Sequence, residues 1–137
     1  MNKTKPGGDA CPCGRPGDRH GPLTYSQCCG RYLDGGVPAP DAVSLMRSRY
    51  TAYARGDEAY VLATWHASTR PAQGKSEPGT KWLGLEVRDQ RELDADHAEV
   101  EFVARTRPAS GSAVRLHERS RFVREGGRWY YVSGDIR

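Results

Sequence analysis

The hydrophobic positions change period partway along the chain. From Asp41, a residue type that caps helix N-termini, Val43, Met46, Tyr50 and Tyr53 recur at steps of three and four and lay one stripe along a helix that Gly56 ends near Arg55. Asp57 opens a second helix, in which Tyr60, Val61, Ala63, Thr64 and Trp65 mix apolar and polar faces. Between His66 and Thr80 the pattern breaks into Ser68-Thr69-Arg70-Pro71 and a loop rich in glycine, serine and proline. After Thr80 the period falls to two. Leu83, Leu85 and Val87 share one strand face, Ala98, Val100, Phe102 and Ala104 a second, and Val114, Leu116, Glu118, Ser120 and Phe122 a third. Glu125-Gly126-Gly127-Arg128 reads as a hairpin turn into a fourth strand through Trp129 and Val132. Two helices followed by antiparallel strands predict an α+β domain over 41–137. A curved sheet wrapped on helices encloses a cone-shaped hollow, a place for a small-molecule ligand.

Ahead of this domain neither period is present. Residues 1–10, with lysines, Pro6 and paired glycines, read as a disordered lead-in, and 37–40 as a short linker held extended by prolines. Residues 11–36 contain all four cysteines of the chain, as Cys11-Pro12-Cys13-Gly14 and Cys28-Cys29-Gly30. Four soft ligands in two tight pairs predict one tetrahedral metal ion held by Cys11, Cys13, Cys28 and Cys29, and thiolates favour Zn2+. The spacing is unusual, with one residue between the first pair and none between the second, so the backbone must turn sharply, and the glycine after each pair permits that. A disulfide framework and a redox site remain alternatives at this point; a vicinal Cys28–Cys29 bridge would be strained. The polar N-terminus lacks a secretory apolar core and no stretch has the apolar length of a membrane span, so the expected location is the reducing cytoplasm, with no membrane partner.

Length and charge narrow the picture further. With 137 residues and 36% hydrophobic content the chain is expected to build one real core plus a small appendage. The cysteine segment is too poor in apolar residues to fold without its metal. The net charge of +4, from 21 basic and 17 acidic side chains, is spread along the chain, which disfavours a nucleic-acid partner. Phosphate-cradling glycine loops, the nucleophile elbow and the helical zinc-protease motif are absent from the sequence.

The candidate chemistry in the second part centres on Glu118. Its parity with Leu116, Ser120 and Phe122 turns a carboxylate inward, while His117 beside it points to the opposite face. A buried carboxylate needs a donor, and Arg47, Arg49 or Arg70 could supply it, either as a structural ion pair or as part of an acid–base site. Trp65-His66 followed by Ser68-Thr69-Arg70 is a second cluster, which either grips an anion or caps the second helix. His66 and His117 lie in no ligand spacing, and His20, inside the cysteine loop, is superfluous once four sulfurs fill the tetrahedron. The tyrosines and tryptophans fall mostly at core spacing, with some available to line a pocket.

Two resemblances become visible on these residues. C-x-C-G, a polar loop, an aromatic at Tyr25 and then C-C-G resembles the SEC-C zinc motif, known from the C-terminus of the SecA translocation ATPase, although the loop from Arg15 to Gln27 is longer than usual. The runs Leu45–Tyr53, Thr64–Arg70, Trp82–Leu85, Val100–Phe102, His117–Phe122 and Gly127–Val132, in order behind that motif, resemble the bacterial YchJ-like proteins. The resemblance implies a SEC-C module joined to a domain similar to nuclear transport factor 2, a cystatin-like cone of helices on a curved antiparallel sheet. It assigns no activity, and a fold of this kind decides none. Since the SecA motif contacts protein partners, the resemblance implies a non-catalytic docking role for the module, with Arg15, Arg19 and Arg31 suited to an acidic protein or ribosomal surface. The alternative is a small enzyme using Glu118 with His66 or an arginine such as Arg70 for proton transfer on a small polar substrate.

Overall fold

The computed structural model describes residues 9–17, 21–74 and 77–137. His20, Arg19 and residues 1–8 of the expected lead-in lie outside the described residues. Among the described residues three helices and four strands follow in chain order: α1 (Gly30–Leu33), α2 (Ala42–Arg55), α3 (Glu58–Ala63), β1 (Lys81–Asp94), β2 (His97–Arg107), β3 (Val114–Glu125) and β4 (Arg128–Ile136). The strands form one antiparallel sheet in the order β1-β2-β3-β4.

Helix α2 begins and ends where local chemistry dictates. The Asp41 carboxylate accepts from the Ser44 N–H at 2.7 Å, and Gly56, at φ 74°, closes the helix by donating its N–H to Ala52 and Tyr53 carbonyls. Asp57 then caps α3 through the Tyr60 N–H. That helix stops at Ala63, short of the expected Trp65, because the Thr64 hydroxyl turns back onto the Tyr60 carbonyl at 2.8 Å and Trp65 pairs alongside Tyr131 of β4.

The stripe of Val43, Met46 and Tyr50 is buried as the period predicts, but ten of the fourteen α2 residues are buried in all. A second face carrying Ser44, Leu45, Ser48, Thr51 and Ala52 is covered by the cysteine segment and α3, so the helix is enclosed between them and the sheet. The sheet contributes Val100, Phe102, Ala104 and Phe122, and the cysteines join the same continuous core.

The sheet curves through bulges in β1 between Trp82 and Gly84, Val87 and Asp89, and Glu92 and Asp94. The first bulge corrects the alternation expected for this strand. An extra residue reverses facing, so Leu83 is 45% exposed while Trp82 turns inward against Tyr50 and Tyr53. Val114, also expected on the core face, is 53% exposed because β3 runs past the helices there. The Gly126–Gly127 turn has both residues at positive φ, 59° and 81°, as a two-residue hairpin turn requires.

Candidate functional site

The cysteine segment is built from turns. Gly14 sits at φ 71° and donates to the Cys11 carbonyl, while the Tyr25 carbonyl receives N–H groups from both Cys28 and Gly30, so the second pair curls over a single oxygen. Gly30 has to be glycine, because a Cβ there would stand 2.8 Å from that carbonyl and 2.9 Å from the Tyr25 ring. The aromatic and the glycine of the motif thus occupy one contact. Burial pushes the Tyr25 hydroxyl up to about 12, against the opposing influence of Arg55, whose guanidinium lies 4.0 Å over the ring. Asp9 and Ala10, expected in the lead-in, take part in this structure: Tyr25 donates to the Asp9 carbonyl at 2.8 Å and Ala10 bridges to Thr24.

These turns bring the four sulfurs within 4.8 Å of one another, all buried and all free thiols. Cys13 and Cys28 stand 3.6 Å apart and Cys28 and Cys29 4.0 Å. Sulfurs bound tetrahedrally to one zinc lie about 3.8 Å apart, given a Zn–S bond of about 2.3 Å, so the donor set fits such an ion. Its acid–base chemistry points the same way. Donation from Cys13, then Cys28 and Cys29, holds the Cys11 thiol far below the ordinary thiol range, whereas contact with Cys11, then Cys13, pushes Cys28 and Cys29 well above it. The cluster favours the thiolate at Cys11 and, less strongly, at Cys13 but opposes it at Cys28 and Cys29, and four thiolates together require a cation.

Arg47 and Arg49, two positions apart on α2, leave opposite sides of the helix. Arg47 donates from Nη1 to the Cys13 carbonyl at 2.9 Å, and Arg15 reaches from the cysteine loop to the Ser44 hydroxyl at 3.0 Å. With the Cys11–Thr51 contact at 3.6 Å, these bonds seat the cysteine segment on α2. Arg31 is exposed, its Nε on the Cys28 carbonyl and its guanidinium 4.9 Å from the centre of the Tyr32 ring.

Arg49 turns the other way, into the cone. A cavity of about 170 Å3 lies between α2 and the sheet, lined among others by Arg49, Tyr53, Trp65, Trp82, Glu118 and Tyr131. Nη1 of Arg49 donates to the Val61 carbonyl and the Thr64 hydroxyl, both at 2.8 Å, and the guanidinium lies 4.9 and 4.6 Å from the ring centres of Trp65 and Tyr131. Burial pulls its pKa below the ordinary arginine value. Glu118 points inward as its parity predicts, but no arginine among the described residues contacts its carboxylate. Its Oε2 accepts from the Ser120 hydroxyl at 2.6 Å and the Tyr131 hydroxyl at 3.1 Å. Gly134, opposite Ser120, leaves it room, because a Cβ there would overlap the carboxylate.

The other expected site residues are elsewhere. Arg70 is exposed and donates to the Trp65 carbonyl at 3.1 Å. His66 bonds through Nε2 to Glu125 at 3.0 Å and through Nδ1 to the Ser68 hydroxyl at 2.7 Å and the Ser68 N–H, fastening the end of α3 to the β3–β4 turn. Neither lines the cone cavity, so the structure separates Glu118 from both. His117 faces out and pairs with Glu101 at 2.7 Å.

A four-sulfur knuckle seated on a cone of helices and curved sheet defines a SEC-C protein with a nuclear transport factor 2-like domain. Residues 41–134 match the family model described as "YchJ, middle NTF2-like domain". The chain belongs to this YchJ-like family, which the curated relatives carry as UPF0225. It is 65% identical over 132 residues to the UPF0225 protein of Polaromonas sp., covering 95% of each chain, and 51% identical over 142 residues to that of Bordetella parapertussis, covering both chains entirely. Two solved SEC-C motif containing proteins share the fold. The one from Rhodopseudomonas palustris aligns with a TM-score of 0.74 and 33% identity over 85% of this chain and 94% of its own. The one from Psychrobacter arcticus aligns with a TM-score of 0.74 and 28% identity over 93% and 82%.

Proposed function

We propose that the protein is a non-catalytic binding protein: the knuckle, ordered by Zn2+ on Cys11, Cys13, Cys28 and Cys29, docks on an acidic protein surface, and the cone holds a small ligand. The observation that carries this reading is the closed sulfur cluster. Four buried cysteines supply a complete tetrahedron and leave no position for a substrate, which is the mark of a structural zinc. Such a site orders a surface rather than performing chemistry, and Arg31 stands exposed on that surface, one turn from the ligands. Thiolate ligation also fits a reducing compartment such as the cytoplasm. No helix among the described residues is long and apolar enough to cross a membrane.

The test uses the full chain, since removing the knuckle would uncover one face of α2. The metal-loaded protein and its Arg31→Glu variant are each used to capture partners from a bacterial lysate, with metal content checked in both. Loss of a partner by the variant at equal zinc supports the docking reading. Identical captured sets from the parent, the variant and the chelated protein would overturn it.

A further inference from the structure

The cone cavity holds an arginine whose guanidinium the protein meets only in part. Arg49 is 6% exposed, lines the cavity, and has no carboxylate in ion-pair contact among the described residues. Both of its hydrogen bonds leave from Nη1, so Nε and Nη2 have no acceptor there. A buried cation is costly, and the rings of Trp65 and Tyr131 meet this one only on its faces, which leaves the edge of Nε and Nη2 for a ligand. Trp65 and Trp82 line the same cavity with their rings, while their indole Nε1 groups are shielded from solvent and lack an acceptor among the described residues. The one carboxylate on the sheet side, Glu118, is already engaged by Ser120 and Tyr131.

The free nitrogens of Arg49 are donors, set among aromatic walls. A ligand that answers them brings acceptor oxygens with negative charge and a flat apolar body. Size fixes the scale. A cavity of about 150 Å3 accommodates a benzene ring, and this one measures about 170 Å3. We propose that the cone binds a small single-ring aromatic carboxylate, with its carboxylate on the free edge of the Arg49 guanidinium and its ring among Tyr50, Trp82 and Phe102. The inference rests on the reading of the cone as a ligand holder and adds the chemical class of the ligand. Glu118, sharing the cavity, opposes the ligand's charge and sets an upper limit on affinity.

The test is a titration of the full-length, metal-loaded protein with benzoate, benzyl alcohol and benzylamine, following the indole N–H resonances of Trp65 and Trp82 against Trp129. Benzoate is expected to shift the first two to saturation and leave Trp129 in place. Benzyl alcohol, of similar size but neutral, is expected to bind at least about tenfold more weakly, because it forgoes a charge-assisted bond. Ala104→Leu, which fills the cavity from the sheet and leaves Arg49 its bonds, is expected to abolish binding, and Glu118→Gln to strengthen it. If benzyl alcohol or benzylamine binds as tightly as benzoate, the carboxylate assignment fails while the cone remains a ligand site. If none of the three binds the parent protein, the cone's ligand role fails with it. Undiminished benzoate binding to Ala104→Leu, or loss of binding in Glu118→Gln, would likewise overturn the proposal.

Discussion

The knuckle and the cone reach order by opposite routes. The cone spreads its stabilisation over a surface: four strands of nine to fourteen residues in register, with apolar side chains buried against α2. The knuckle concentrates it at a point, since its regular structure among the described residues amounts to a four-residue helix and two isolated bridges, Ala10–Thr24 and Pro16–Pro22, around four sulfurs. What the contrast teaches lies in α2, which serves both. Its sheet-facing side obeys ordinary hydrophobic periodicity, while its other side is buried through Ser44, Ser48 and Thr51, small polar residues bonded to Arg15, Tyr60 and Cys11. The four cysteines are therefore also a patch of the protein's core.

Cys28→Ser strikes the comparison hardest. Structural zinc contributes on the order of 10 kcal/mol to the order of such a module. The variant is expected to lose its bound metal, and knuckle amides are expected to exchange freely while β2 and β3 stay protected, with Tm lowered because one face of α2 loses its cover. Elemental analysis and hydrogen exchange read both. Parental zinc with parental knuckle protection would remove this cysteine from the ligand set, and loss of sheet protection at the same time would show that the two regions unfold as one.

Gly134→Ala tests the cone by itself. The new methyl group competes with the Glu118 carboxylate for one position, and overpacking of this kind costs about 1–3 kcal/mol. Urea unfolding should show that loss at unchanged zinc content; an unchanged midpoint would mean that Glu118 has somewhere else to go.

The smallest effect belongs to the outer face of the sheet. Bonds from His117 and then Arg119 hold Glu101 below its ordinary value of 4.5, and the bond from Arg119 does the same for Asp89, whose ordinary value is 3.8. Depressed carboxylates contribute stability that is complete at neutral pH and fades as pH falls through the acid range below those ordinary values. Asp89 is exposed and Glu101 partly so, and solvent screens the effect. Tm of the parent is expected to exceed that of Arg119→Ala slightly near pH 7, and the gap to close near pH 3. A gap independent of pH would assign the loss to the packing of the arginine stem.

How much of this was legible in the sequence follows from how local each cause is. The caps at Asp41, Gly56 and Asp57 act within one turn and were readable, as were the paired cysteines and the glycine hairpin. The bulge at Trp82–Gly84 was not, because nothing in an alternating pattern announces an extra residue, and Leu83 was expected inward in consequence. Nor was the second buried face of α2, since serines and threonine read as a solvent face until the cysteine loop is laid over them. Glu118 shows both cases. Its parity was correct and Ser120, two residues on, is its neighbour by the same parity, but Tyr131 required the β3–β4 register. The arginine expected to meet it serves elsewhere: Arg47 holds the knuckle, Arg70 holds the Trp65 carbonyl, and Arg49 faces the cavity without touching it.

The placement of α2 between knuckle and sheet also has a meaning in time. A ribosome delivers the sulfurs and the helix first and the sheet last, and at about 5–20 residues per second the roughly one hundred residues after Cys29 take about 5–20 seconds to arrive. A metal ion on the four cysteines would be within reach of the growing chain throughout that interval. An ion captured early would give α2 one finished side to lean on, so that each hairpin, emerging next to the one it pairs with, would close over a helix already held in place.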